Sequence, residues 1–338
     1  MTQQVARTPG RRPSKRFMVG KALREFFADD GWDRSAAMTF FAVLSVPPIA
    51  VALVSVLALV GQGEESTAAV LEILVQVAPD AEGVEALSAP VLAVLRQPSA
   101  GFTFVLGLAT GLWMAAGYVG AFGRAMNVVY GVSEGRPLWR LQAWHLLTTV
   151  VLVAFSGLVT LLLVVSGPVA EAVGRVLGLG EFTVTVWQVA RWPVLLLATA
   201  GVVAVLYFAS PNVRHPRFRL VSHGSVLALA LAGVASLLFR LYLSAFGRLD
   251  LTYGSALAGV VAFFLWLWII NMALLLGAEV DAEVQRARQL VAGLRAERSV
   301  VVEVRDTRAS DRSDARRLAD EDRARSLRRS HGWHDEEV

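Results

Sequence analysis

Residues 254–280 read GSALAGVVAFFLWLWIINMALLLGAEV, and this stretch decides the fold. From Gly254 to Gly277 it carries no charged residue. Crossing roughly 30 Å of hydrocarbon takes about 20 helical residues, so the run is long enough to span a membrane. Inside lipid only a helix or a closed barrel satisfies its own backbone, and an unbroken apolar run without alternation reads as helix. Runs of the same kind lie near 36–60, 102–122, 144–170, 190–208 and 221–246. The fold class expected is therefore all-α, a polytopic integral membrane protein with six transmembrane helices.

The composition supports this reading. Hydrophobic residues make up 55% of the 338 and charged ones 18%, with a mean hydropathy of +0.53, whereas soluble domains are about a quarter charged. A seventh apolar segment, 68–95, is interrupted by Glu72, Gln76, Asp80, Glu82 and Glu85 and broken by Pro79 and Gly83. It reads as amphipathic helices in the first outer loop, within an insert at 61–101.

Orientation follows from the alternation of basic residues between loops. Residues 1–35 carry Arg7, Arg11, Arg12, Lys15, Arg16, Lys21, Arg24 and Arg34, the second loop Arg124, Arg136 and Arg140, and the fourth Arg214, Arg217 and Arg219. The intervening loops are poor in them, which places both ends of the chain in the cytoplasm. The first 35 residues, which show no cleavable apolar leader, form a basic segment with an interfacial helix. The six-helix domain covers 36–282. Residues 283–338, with 13 Arg and 12 acidic residues, read as a disordered or frayed polyampholyte tail.

The residue inventory excludes several chemistries. Without cysteine there is no thiolate catalysis, disulfide or iron–sulfur ligation. His145, His215, His223, His331 and His334 form no zinc or nuclease motif, and neither a phosphate loop of the GxxxxGK[ST] type nor a GxSxG elbow occurs. No enzyme activity, cofactor or metal is expected. Nor is nucleic acid, because the N-terminal basic run adjoins a span and carries Phe17, Phe26 and Phe27, which suits an anionic lipid surface.

Polar groups within or beside the spans are the candidates for substrate contact or gating. Asn271 is an amide in hydrocarbon, where it seeks an interhelical partner. Arg240 lies near the outer end of the fifth span, within reach of the interface. Glu279 lies 25 residues into the last run, about 37 Å along a helix, and is expected at the cytoplasmic boundary beside Arg34, Arg124 or Arg136. Arg124, Asn127, Tyr130 and Arg136 crowd the second loop, where they suit lipid head groups or a plain positive anchor. Pro47, followed by Pro48, interrupts the first helix. Gly107 and Gly111 form a GxxxG step for close helix approach.

The stretch Asp33-Arg34-Ser35-Ala36-Ala37-Met38-Thr39-Phe40-Phe41 leading to Ser45 and Pro47, the block Asn127-Val128-Val129-Tyr130-Gly131 with Glu134 and Arg136, and Tyr253-Gly254 before Gly277-Ala278-Glu279 together resemble the YihY/BrkB family of bacterial inner-membrane proteins. The resemblance covers roughly residues 20–285 and implies six spans in the inner membrane. Members of that family carry the labels of serum-resistance virulence factor, ribonuclease BN and, in one branch, transporter of lipid A precursors. The acidic outer loop and the Arg/Asp tail fall outside the shared pattern. Two functions stay open at this point: a transporter-like protein moving a lipid or envelope precursor, and a non-transporting scaffold or envelope-integrity factor. Membrane lipids are the partners common to both, and the sequence leaves the oligomeric state unknown.

Overall fold

The computed structural model describes residues 15–60, 88, 100–164, 181–214, 218–246 and 255–330. In chain order its elements are α1 (Lys15–Ala28), α2 (Gly31–Val60), α3 (Ala100–Val129), α4 (Leu138–Val164), α5 (Glu181–Ala209), β1 (Val213–Arg214), α6 (His223–Phe246), α7 (Ser255–Val291), β2 (Glu303–Val304) and α8 (Arg308–Ser330). Six of them, α2 to α7, are long and apolar enough to cross a membrane. The expected outer insert lies outside the described residues, apart from Ser88 and the start of α3 at Ala100 and Gly101.

Local chemistry sets the boundaries. Asp30 in the left-handed region, φ 54°, turns the chain from α1 into α2, and the Phe26 ring lies where a Cβ on Gly31 would sit. Gly131 and Gly293, at φ 63° and 80°, end α3 and α7 in the same way. In each case the next residue's N–H reaches back five residues, Val132 to the Asn127 carbonyl and Leu294 to that of Gln289, closing a Schellman motif.

Lipid tails are as apolar as leucine, so these helices associate through close packing and interhelical hydrogen bonds. The GxxxG step works as expected. A Cβ on Gly107 would lie 3.0 Å from the Pro48 carbonyl oxygen, and one on Gly111 2.7 Å from Ile49, so α3 rides directly on the backbone of α2. Helix α2 continues through Pro47 and Pro48. Pro47 is exposed, and a proline there leaves a backbone carbonyl one turn earlier without its helical donor. Helix α6 leans mainly on α7 and touches α5 only slightly.

The start of α2, end of α3, start of α4, end of α5, start of α6 and end of α7 meet at one end of the bundle, called here the capped end. Most of the fully buried side chains, Phe122, Met38, Met126 and Leu275 among them, lie in that half. Residues 283–307 depart from the expectation of a disordered or frayed tail. Helix α7 runs on to Val291, and a strap of residues 292–307 folds back over the capped end, with Ala296 and Val300 buried. Gln289 holds the strap by a reciprocal pair of hydrogen bonds to the N–H and carbonyl of Val301. Strand β2 then pairs antiparallel with β1, Val213 opposite Val304 and Arg214 opposite Glu303. The composition misled because the strap's apolar residues are sparse, yet two of them, Ala296 and Val300, are buried while Leu294 and Val301 stay exposed. Only α8 matches the polyampholyte description, being helical with no buried residue.

Candidate functional site at the capped end

Arg136 and Glu134 organise the capped end. Arg136 Nε donates to Glu134 Oε1 at 2.8 Å and Nη2 to Oε2 at 2.7 Å, a bidentate fork, and Nη2 also reaches the Ser210 carbonyl at the end of α5 at 2.9 Å. Asn127 Nδ2 donates to the same carboxylate at 3.0 Å, while its Oδ1 accepts the Asn212 N–H at 2.7 Å. Burial alone would raise the Glu134 carboxyl, but Arg136 and Asn127 together hold it below the usual carboxylate range. Asn212 continues the network, donating through Nδ2 to the carbonyls of Ser133 and Asp306.

The strap completes this cap. The Arg305 guanidinium donates to the carbonyl of Val213 in β1 and to that of Phe208 in the last turn of α5, where helix carbonyls lack intrahelical donors. It lies 5.6 Å from the centroid of the Trp144 ring and 5.5 Å from that of Phe208. Gly135 admits the strap because any Cβ there would overlap the backbone of Asp306. Of the second-loop candidates, then, Asn127 and Arg136 are structural ties, and Arg124 is exposed.

Tyr130 lines a cavity. About 470 Å³ of space opens at the capped end between Tyr130, the end of α5 (Tyr207, Phe208), the start of α6 with the segment before it (Arg219, Ser222, His223), the end of α7 (Asp281, Val284, Arg288) and Leu294 of the strap. Asp281 is already engaged: Oδ1 accepts the Gly224 N–H at 2.7 Å and Oδ2 the Ser222 hydroxyl, so it caps α6. Ser222 and Ser225 exchange N–H and hydroxyl bonds as a reciprocal cap of the same helix end. Burial pushes the Tyr130 phenol up, with Asp281 and Glu279 adding to the rise, so it stays a neutral hydrogen-bonding wall.

The remaining candidates separate in space. Asn271 ties three helices, accepting from Tyr118 Oη on α3 at 3.0 Å and donating to Thr39 Oγ1 on α2 at 2.9 Å. Asn271→Ala is expected to cost about 1 kcal/mol, the usual scale for an interhelical polar bond in a membrane, read as a lowered melting point in detergent. Arg240 is exposed on α6, away from the cavity. Glu279 is buried, but none of its expected arginine partners reaches it among the described ion pairs. Arg136 is taken by Glu134 two residues away, and Arg34 Nε turns back to the Asp29 carbonyl. The acid that is paired is Glu283, one turn on, with Lys21 of α1 at 2.7 Å and Arg286 at 3.0 Å. His145 packs on Gly120 while His223 lines the cavity, so these two histidines do not converge, and His215 lies outside the described residues.

Asn212, Ser222, Asp281, Arg288 and Arg305 were not singled out from sequence, and Arg219 entered only as one of the basic residues of the fourth loop. The Ser222-x-x-Ser225 spacing ahead of an apolar run was the one local signal available, since it is a helix N-cap pattern. Nothing local marks Arg305, whose acceptors lie more than 90 residues away.

Taken together, these features define a helical membrane protein with six candidate spans, whose ends on one side are laced by a polar cap enclosing an amphipathic cavity. The chain belongs to the virulence factor BrkB family, whose model matches residues 22–300. It is similar to the ribonuclease-like protein YfkH of Bacillus subtilis, 29% identical over 79% of this chain and 96% of that one. It is also similar to UPF0761 membrane proteins of Azotobacter vinelandii, 28% identical over 79% of this chain and 63% of the relative, and of Aliivibrio salmonicida, 26% identical over 82% and 88%. No solved structure matches the chain. Arg305 and α8 lie beyond the family match.

Proposed function

We propose that the chain is a transporter-like protein of the bacterial inner membrane that takes up an amphipathic lipid or envelope precursor at the capped end. No catalytic chemistry belongs to this reading. The observation that carries it is the cavity: its wall joins aromatic and apolar side chains to charged ones, and it lies where α5 and α6 barely touch. Such a gap lets a head group enter from the side while its chains stay among the lipids. The exposed side chains of α6 support this, with Val226, Val234, Leu237 and Leu238 available as a lipid-facing surface. The capped end is the cytoplasmic one in this account, because Lys21, Arg136, Arg219 and Arg286 gather there.

The test is movement of a fluorescent phospholipid between the leaflets of vesicles holding the purified chain. Transport faster than in protein-free vesicles is expected. The alternative, a non-transporting scaffold or envelope-integrity factor, draws on α8, a long exposed helix that contributes nothing to the core and is free for a partner. It predicts no acceleration.

A further inference from the structure

Arg219 and Arg288 reach the same cavity from different elements, one from the segment before α6 and one from the last turn of α7. Neither forms an ion pair among the described residues. The one carboxylate in the wall, Asp281, has both oxygens bonded to the start of α6 and keeps its charge, so the wall sets two guanidinium groups against one carboxylate. His223 supplies a further ring nitrogen. The wall thus divides between donor-rich groups of net positive charge and the apolar Phe208 and Leu294.

A site with that division suits one kind of ligand. Guanidinium forks match tetrahedral oxyanions, and two of them converging from separate elements fix such a group more firmly than a single surface arginine does. A zwitterionic choline head group would set its own cation against both arginines. Building on the transporter reading, we propose that the cavity selects amphiphiles with a phosphate monoester head group, held by Arg219 and Arg288 with acyl chains leaving past Phe208. The volume, about 470 Å³, holds a phosphoglycerol-sized head group and not a whole lipid, which agrees with chains remaining outside.

The test is equilibrium binding to the detergent-solubilised full chain, with dihexanoyl phosphatidic acid, dihexanoyl phosphatidylcholine and inorganic phosphate as probes. Phosphatidic acid is expected to bind at least about tenfold tighter than phosphatidylcholine, and Arg219→Ala and Arg288→Ala each to weaken it about tenfold. Both arginines are exposed, so neither change threatens folding, and Arg288→Lys should recover part of the loss. Equal affinity for the two lipids, or alanine variants that bind as well as the parent, would overturn the assignment. Inorganic phosphate binding as tightly as phosphatidic acid would overturn the amphiphile half of it. Phosphate-selective binding without transport in vesicles removes the transporter reading and leaves this site, whereas transport indifferent to head group does the reverse.

Discussion

Replacing Arg136 with methionine is expected to destabilise the protein by about 3 kcal/mol, among the largest effects of any single change at the capped end. The side chain is 8% exposed and Glu134 26%, so the variant keeps the packing of the stem but strands a largely dehydrated carboxylate and the Ser210 carbonyl at once. Removing one partner of such a pair costs far more than the pair contributes, because the survivor keeps its desolvation penalty. Thermal unfolding in detergent reads this directly. Adding Glu134→Gln to Arg136→Met should recover much of the loss, which separates a stranded charge from lost packing.

The same pair predicts a pH dependence. The folded Glu134 carboxyl lies below its ordinary value of 4.5, so its stabilisation is fully present above that pH and lost as pH falls through the lower, folded value. Glu134→Gln should therefore flatten the acid limb of stability below about pH 4.5 and leave neutral pH as the place where the variant shows its cost.

The second large effect is expected at the crossing of α6 and α7. A Cβ on Gly277 would lie 2.6 Å from Tyr207 Oη and 2.7 Å from Ala228 Cβ, and one on Gly224 2.6 Å from Asp281 Cγ. Backbone meets backbone here, so relief needs the helices to separate. Gly277→Val is expected to cost about 3 kcal/mol or more, at the upper end of overpacking penalties. Gly259→Val is its control, because nothing lies within 4 Å of a Cβ at that position. A Gly277→Val protein as stable as the control would show that α6 does not seat on α7 as described.

These two sites also show what could be read in the chain and what could not. The spans were legible because each is continuous in sequence and its physical requirement, roughly 20 apolar residues, is local. The close approach of α3 to α2 was legible from Gly107 and Gly111 for the same reason. Asn271 as an interhelical tie was readable too, although Tyr118 and Thr39 as its partners were not. The pairing of Glu279 was misjudged because charge count and depth do not say which acid an arginine meets first, and Glu134, two residues from Arg136, was the nearer. Arg305 and the strap were hidden altogether. The acceptors of Arg305 lie in the last turn of α5 and in β1, both distant in sequence, and a strap of this length has no periodicity to betray it. The cavity is a product of that long-range assembly, with Tyr130 as its single foreseen member.

The measurement that bears most directly on the function is transbilayer movement of a fluorescent phosphatidic acid in vesicles reconstituted with the parent protein or with the Arg219→Ala, Arg288→Ala double variant. Chemical quenching of the outer leaflet reports how much lipid has crossed. The account predicts that the parent accelerates crossing well above protein-free vesicles and that the folded double variant loses at least about tenfold of that rate. Crossing by the parent at the protein-free rate would contradict it.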